Sequence, residues 1–286
     1  MSYRIVTDTC CDLWPELYNE LDVDVISLSV HFKGEDISSY TESWLREFYD
    51  GLRAGEAGQT SAVNPESWKK KIQPVLEAGQ NALVLAFSSG LSTTYQSAVI
   101  AAEELQSAYP QRTIRVVDTL CASMGQGLLV WYACKKRDAG MTLTELADWC
   151  EEMKMHLCHW FTVDDLMYLK RGGRVSAATA LVGTMLQIKP IMHVDDEGHL
   201  VKTGTARGRK SSVDALAKKL GETGLDGEND TVFISHGDCI EDARYLEEKV
   251  KSQYGVKNVI TYYIGAVIGS HSGPGTLALF FLGNKR

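Results

Sequence analysis

Hydrophobic and polar positions follow two different periods along this chain. Short β-branched or aliphatic runs, YRIVTD (3–8), VDVISLSV (23–30), NALVLAF (81–87) and TIRVVD (113–118), read as strands. Amphipathic segments lie between them, and that alternation predicts a parallel sheet with flanking helices. Asn64 followed by Pro65 marks a helix start, with Trp68, Ile72, Val75 and Leu76 on one face. Pro74 is expected to kink that helix. Thr142 and Glu145 form a capping-box pattern ahead of Leu143, Leu146, Ala147, Cys150 and Met153, an apolar helical spacing. That helix is expected to close a first domain.

The second half changes character. PIMHV (190–194) and HLVKTG (199–204), joined by Asp195-Asp196-Glu197-Gly198, predict an antiparallel hairpin. TVFIS (231–235), a helix carrying Ala243, Leu246 and Val250, NVITYYIG (258–265) and TLALFFLG (276–283) follow in order. The pattern predicts an α/β protein of two domains, an N-terminal parallel-sheet α/β domain over 1–158 and a C-terminal α+β domain over 159–286. No Pro/Ser-rich linker marks the boundary, so the two domains are expected to pack closely and leave a cleft between them. There is no internal repeat and no low-complexity segment.

Composition narrows the class. The hydrophobic content of 44% over 286 residues fills real cores. The longest apolar runs are too short to span a bilayer, and MSYRIVTDTC has neither a basic n-region nor an apolar h-region. The expectation is a soluble protein of cytoplasmic type without a transmembrane segment. A formal net charge of −8 argues against a general nucleic-acid binder, which needs a basic face. Basic residues nevertheless cluster in LKRGGR (169–174) and KTGTARGRK (202–210), as solvated loops or as docks for an anion or an acidic partner. The seven cysteines show no metal-like or disulfide-like spacing and read as reduced thiols, mainly in the core. HLCHW (156–160) reads as a helix end entering a strand, so no metal site is predicted.

Three polar stretches adjoin apolar runs in a way that suits one cleft. QTSAVNP (59–65) places Thr60 and Ser61 ahead of a helix start. FSSGLSTTYQSA (87–98) places Ser88, Ser89 and Ser92 between a strand end and a helix, where hydroxyls and free N–H groups make an anion site. IGSHSGPG (268–275) sets His271 among serines and glycines, read as a tight connection at a sheet edge. Each stretch also has a plain structural reading, as an N-cap, a turn or a satisfied histidine. Together they suggest a small oxyanion held by neutral hydroxyls and backbone N–H groups. Dinucleotide, phosphate-loop and nucleophile-elbow spacings are absent. A serine hydrolase using Ser92, His271 and Asp8 or Asp118 stays open at this level, because it depends on geometry.

The stretches RIVTDTCCDL, TSAVNPESW, SSGLSTTYQSA, VVDTLCASMGQGLLV, DDLMYLKRGGRVS, LQIKPIM, ISHGD and IGAVIGSHSGPGTLALFF, in order over nearly the whole chain, together resemble the DegV family of bacterial fatty acid-binding proteins. The resemblance implies a two-domain fold that encloses one long-chain fatty acid, its tail in an apolar tunnel and its carboxylate near the domain junction. It implies a binding subunit rather than an enzyme or a cofactor protein: a separate fatty acid kinase phosphorylates the bound carboxylate to an acyl phosphate, which an acyltransferase uses in phospholipid synthesis. Carried over by motif, Thr60, Ser61 and Ser92 hold the carboxylate, with His271 beside it. Arg171, Arg207 and His271 then engage the partner or assist phosphoryl transfer. The family's usual TSQPSP stands here as TSAVNP, which keeps the hydroxyls and replaces a glutamine and a proline by Ala62 and Val63.

Tail burial of about 0.8 kcal/mol per methylene gives a C16 chain on the order of 10 kcal/mol before association costs. A head group held by neutral hydroxyls would then stay free to act as a nucleophile. The alternatives are a hydrolase of lipid esters or thioesters, and a lipid-responsive regulatory module without a kinase partner.

Overall fold

A computed structural model describes residues 2–177 and 187–286. Leu186, the first residue of the LQIKPIM motif, lies outside the described residues. The first sheet takes four of its strands from the apolar runs: β1 (Tyr3–Asp8), β2 (Asp24–Ile26), β6 (Asn81–Ala86) and β7 (Ile114–Asp118). They pair in the order β2-β1-β6-β7, all parallel. The run VDVISLSV does not make one strand. It breaks after Ile26, and β3 (Ser29–Phe32) joins β4 (Glu35–Ile37) and β5 (Gln59–Ser61) in a small antiparallel sheet, order β4-β3-β5. Leu28, between the two strands, has its N–H bonded to Thr9 Oγ1.

Helices cover both faces of the first sheet, as a parallel sheet requires. On one face Val6, Ala82, Val84 and Ala86 meet α2 (Glu42–Arg53), α3 (Pro65–Glu77) and α4 (Thr94–Ala108). The helix α3 begins as its sequence predicts, with the Asn64 side chain accepting from Ser67 N at 2.8 Å, and it runs through Pro74 to Glu77. Trp68 and Ile72 are fully buried. On the other face Ile5, Leu83 and Leu85 meet α5 (Met124–Asp138) and α6 (Leu143–Met153), whose Thr142–Glu145 capping box is formed.

The second sheet has six strands, β8 (Leu157–Thr162), β9 (Ile188–Val194), β10 (Leu200–Arg207), β11 (Thr231–His236), β12 (Asn258–Tyr263) and β13 (Leu277–Leu282). Their order is β10-β9-β8-β13-β11-β12, and only β11 and β12 run parallel. The β9–β10 hairpin forms as its turn residues predict. One sheet face packs on α8 (Arg209–Thr223) and α9 (Ile240–Tyr254) through Cys158, Ile234 and Phe281. The other face brings Phe233, Phe280 and Leu282 into the same core as Ile5 and Leu83 of the first sheet, with α5 between. The mixed α/β architecture, N-terminal parallel sheet and C-terminal mixed sheet, is the one the sequence pattern predicts.

The helix α5 is therefore covered on both sides, and its first turn is fixed from both sheets. Ser123, in the left-handed region at φ 53°, donates to Asp12 Oδ2 at 2.5 Å and shares a 3.0 Å hydrogen bond with Ser235. Gly125 lies against the ring of buried His159: a Cβ there would fall 2.0 Å from Nε2. His159 is held in turn through Nδ1 by Leu157 O at 3.0 Å. Burial pushes the Asp12 carboxyl up to about 8.

Two outcomes follow from this junction. Gly125→Ala gains about 1 kcal/mol of helix propensity, but overpacking against a fixed ring costs about 1–3 kcal/mol. The clash wins, and urea unfolding will show a net loss; a neutral or stabilised variant would mean that α5 is not held against β8. The second outcome concerns pH. A carboxyl raised in the folded state keeps a proton that the unfolded chain has released, so its stability contribution falls as pH rises towards the folded value. Buried histidines oppose this only below their ordinary value of about 6.5. Stability will decline between about pH 6.5 and 8, and Asp12→Asn will flatten that decline; an unchanged slope in the variant would assign it elsewhere.

Candidate functional site

In the first sheet the chain moves from β1 outward to β2 on one side and from β6 outward to β7 on the other. The loops after β1 and β6 consequently diverge at their carboxyl ends, the place where open α/β sheets leave a crevice. A cavity of about 450 Å³ occupies that position, within the roughly 300–1,000 Å³ range of small-molecule sites. Phe161 of β8, Ala278 and Phe280 of β13, and Leu28 give it apolar walls. A short helix, α10 (Ala266–Ser272), closes one side through Val267 and Ile268.

The helix α10 corrects the expectation for the stretch around His271. The sequence reads as a tight connection, yet His271 stands on the last turn of a helix. Glycine disfavours helix by about 1 kcal/mol, and packing overrides that preference here. A Cβ at Gly269 would fall 2.6 Å from Tyr49 Oη, so only glycine lets α10 lie this close to α2.

The three polar stretches converge on the cavity. Thr60, Ser92 and His271 all line it. His271 Nε2 and Thr60 Oγ1 are 2.8 Å apart. Burial, with Arg174 nearby, pushes the His271 ring down to about 4, so it is neutral at neutral pH. Ser92 Oγ accepts from Thr94 N at 3.2 Å and pairs with Thr94 Oγ1 at 2.9 Å. It thus holds the first N–H of α4 and lines the cavity at once, and the positive end of the α4 dipole faces the same space.

Ser61 is not brought to this wall. Successive residues of a strand face opposite ways, and while Thr60 points inward, Ser61 is exposed on the far face of β5, its backbone in register with Ser29. Arg207 is exposed at the end of β10. Arg171 ends α7 (Met167–Arg171), exposed, with its guanidinium 4.5 Å from the centre of the Tyr168 ring.

The arginine that does reach the cavity is Arg174, three residues on in the same KRGGR cluster. Its Nε and Nη2 donate to Leu91 O at 3.1 and 2.9 Å, and Nη1 donates to Gly172 O. No carboxylate pairs with it among the described residues, and burial pulls its pKa down. The sequence signal for Arg174 was the cluster itself; only the fold separates it from Arg171. The site is therefore not the purely neutral set of hydroxyls that the sequence suggests, since a half-buried cation stands in its wall.

Ser123, Ser235 and His159 line the cavity as well. They sit inside the LCASMGQ, ISHGD and HLCHW stretches, but nothing local marks them as facing one space. The Ser92, His271 and Asp8 or Asp118 arrangement of a hydrolase does not form among the described residues. Ser92 and His271 are bonded to threonines rather than to each other. Asp8 accepts from Cys10 N and Phe87 N, and Asp118 from Ser89 N and Leu120 N, so neither orients His271. Among the described residues no His, Cys, Asp and Glu group is arranged to hold a metal, and no helix is long and apolar enough to cross a membrane.

A family model described as uncharacterised proteins of the DegV family matches residues 2–284. A DegV domain-containing protein of Clostridium perfringens is 42% identical over 286 residues, 99% of this chain and 98% of that one. A DegV family protein of Thermus thermophilus, whose structure is described as showing fatty acid binding, superposes with a TM-score of 0.88 at 31% identity, covering 99% and 100% of the two chains. A DegV lipid-binding protein of Thermotoga maritima gives 0.86 at 30% identity with full coverage of both. Match length, identity and fold agree, and this chain belongs to the DegV family.

Proposed function

We propose that this protein binds one long-chain fatty acid and presents its carboxylate to a separate kinase, which converts it to an acyl phosphate for an acyltransferase of phospholipid synthesis. The observation that carries this reading is a wall shared by two spaces. Thr60, Arg174 and His271 line the cavity and also a neighbouring groove of about 380 Å³ with more exposed walls, which contains Arg171 and Tyr168. A carboxylate on that wall is held from within and reached from outside. With the chain divided into 1–158 and 159–286, Thr60 and Ser92 come from the first unit and Arg174 and His271 from the second, so the head group sits at their junction.

The chemistry of each group suits the task. A neutral His271 can donate Nε2–H to Thr60 Oγ1, which frees the Thr60 proton for the carboxylate. Ser92 adds a hydroxyl and the α4 N-terminus adds its dipole. Arg174 supplies charge, but two backbone carbonyls hold its guanidinium, which limits a bidentate grip on the acid. Affinity then comes mainly from the tail, at about 0.8 kcal/mol per methylene. Ser61 enters only by pairing its backbone with Ser29, which fixes Thr60. In the transfer, a carboxylate oxygen bonds to the terminal phosphorus of a nucleotide held by the kinase, and the bond from that phosphorus to its leaving oxygen breaks. Arg171 and His271 face the accumulating negative charge. Arg207, exposed and outside the cavity, is assigned to partner contact.

Organic extraction of protein purified without added lipid, read by mass spectrometry, will yield close to one equivalent of a long-chain fatty acid. Arg174→Gln and Ser92→Ala will each lower affinity for that acid about tenfold, the scale of one hydrogen bond to a charged group. No lipid in the extract, together with no binding of added acid, would overturn the reading. With the cognate kinase and ATP, His271→Ala will lower the rate of acyl phosphate formation at saturating lipid. Arg207→Ala will raise the kinase concentration needed for half-maximal rate. Wild-type rates in both variants would remove the presentation step while leaving lipid binding in place.

A further inference from the structure

The cavity has a second polar end that the head group does not use. The helix α10 runs along the cavity, with His271 on its last turn and Gly265 at its start. Gly265 lies against Asp12, where a Cβ would fall 2.6 Å from Oδ1. Six residues at about 1.5 Å each place the two ends of α10 about 9 Å apart. At the Gly265 end, Ser235 and Ser123 line the cavity and form a relay, with Ser123 Oγ bonded to Ser235 Oγ at 3.0 Å and donating to Asp12 Oδ2 at 2.5 Å. If Ser123 gives its proton to Asp12, Ser235 gives its own to Ser123, and the Ser235 oxygen keeps open acceptor positions. Neutral His159 shares this lining and accepts only a long 3.4 Å bond from Ala122 N at Nε2. Ser272, whose Oγ has no partner among the described residues, lies beside His271 at the opposite end of α10.

An unsubstituted alkyl tail laid over this end gives no donor to the open acceptor positions of Ser235 Oγ or to the weakly bonded His159 Nε2, which is unfavourable for buried polar atoms. A hydroxyl on the tail removes that conflict. We propose that the cavity is built for an acyl chain carrying a mid-chain hydroxyl, which donates to Ser235 Oγ and lies within the Ser123–Asp12 relay. This rests on the fatty acid reading and names the substrate class of the same site. An extended chain advances about 1.2 Å per bond, so a tail laid along the length of α10 from His271 reaches the Gly265 end near carbon 8.

The test is a positional series. Dissociation constants are measured for octadecanoic acid and for its analogues hydroxylated at carbon 3, 8, 10 or 12, on delipidated protein. One satisfied hydrogen bond predicts a peak in affinity at carbon 8 or 10, about fivefold tighter than the plain acid. In Ser235→Ala the ratio between the best hydroxylated acid and the plain acid falls to about one. Folding of the variant is checked by circular dichroism, and the wild-type series stands by itself if the variant does not fold. Plain acid bound as well as or better than every analogue overturns the inference and leaves the fatty acid reading intact. No binding of any of the five acids overturns both.

Discussion

The placement of α5 between two sheets is the constraint on which the rest of this molecule depends. A helix that is apolar on both sides has to be buried on both sides. Here Leu128, Leu129 and Val130 are all fully buried, in one core shared with Ile5 of the first sheet and Phe280 of the second. The separation of the sheets is set by one helix diameter, about 10–12 Å with side chains. Where α5 begins, Ser123 and His159 both line the cavity, and the contact of Gly125 with His159 marks where the packed core between the sheets ends and the cavity begins.

The electrostatics of the cavity follow from the same placement. Burial keeps His271 neutral and raises the Asp12 carboxyl, so the two titratable groups near the ends of α10 carry little charge at neutral pH. Among the described residues of the lining Arg174 is the ion that remains, and carbonyls of Leu91 and Gly172 hold it in place of a carboxylate. The described lining of this space thus combines one cation, a helix N-terminus and hydroxyls, with a second groove beside it.

Much of the fold was legible in the chain because the deciding interactions are short-ranged. The runs at 3–8, 81–87 and 113–118 became parallel strands, Asn64 and Thr142 became caps, and the Asp195–Gly198 turn joined its hairpin. Two local readings differed from the structure. VDVISLSV divides between two sheets, and the glycine-rich stretch around His271 is helical because Tyr49 requires a residue without a side chain at 269. Both outcomes are set by partners distant in sequence, which no local preference contains.

The candidate site divides in the same way. Residue types alone marked Thr60, Ser92 and His271 as polar groups beside apolar runs, and their convergence on one cavity follows from where strands end and helices begin. The sequence also marked the cluster that contains Arg174. It did not mark which arginine faces inward, because Arg171 and Arg174 differ only in their position relative to the end of α7. Nor did it separate Thr60 from Ser61, whose opposite orientations depend on the register of β5 against β3. Composition and local pattern determined the chemistry available to this protein. Which of those groups meet, and which face solvent, was decided by the register of strands and the close packing of helices, since these join residues from 32 positions apart, as Ser29 and Ser61, to 220 apart, as Tyr49 and Gly269.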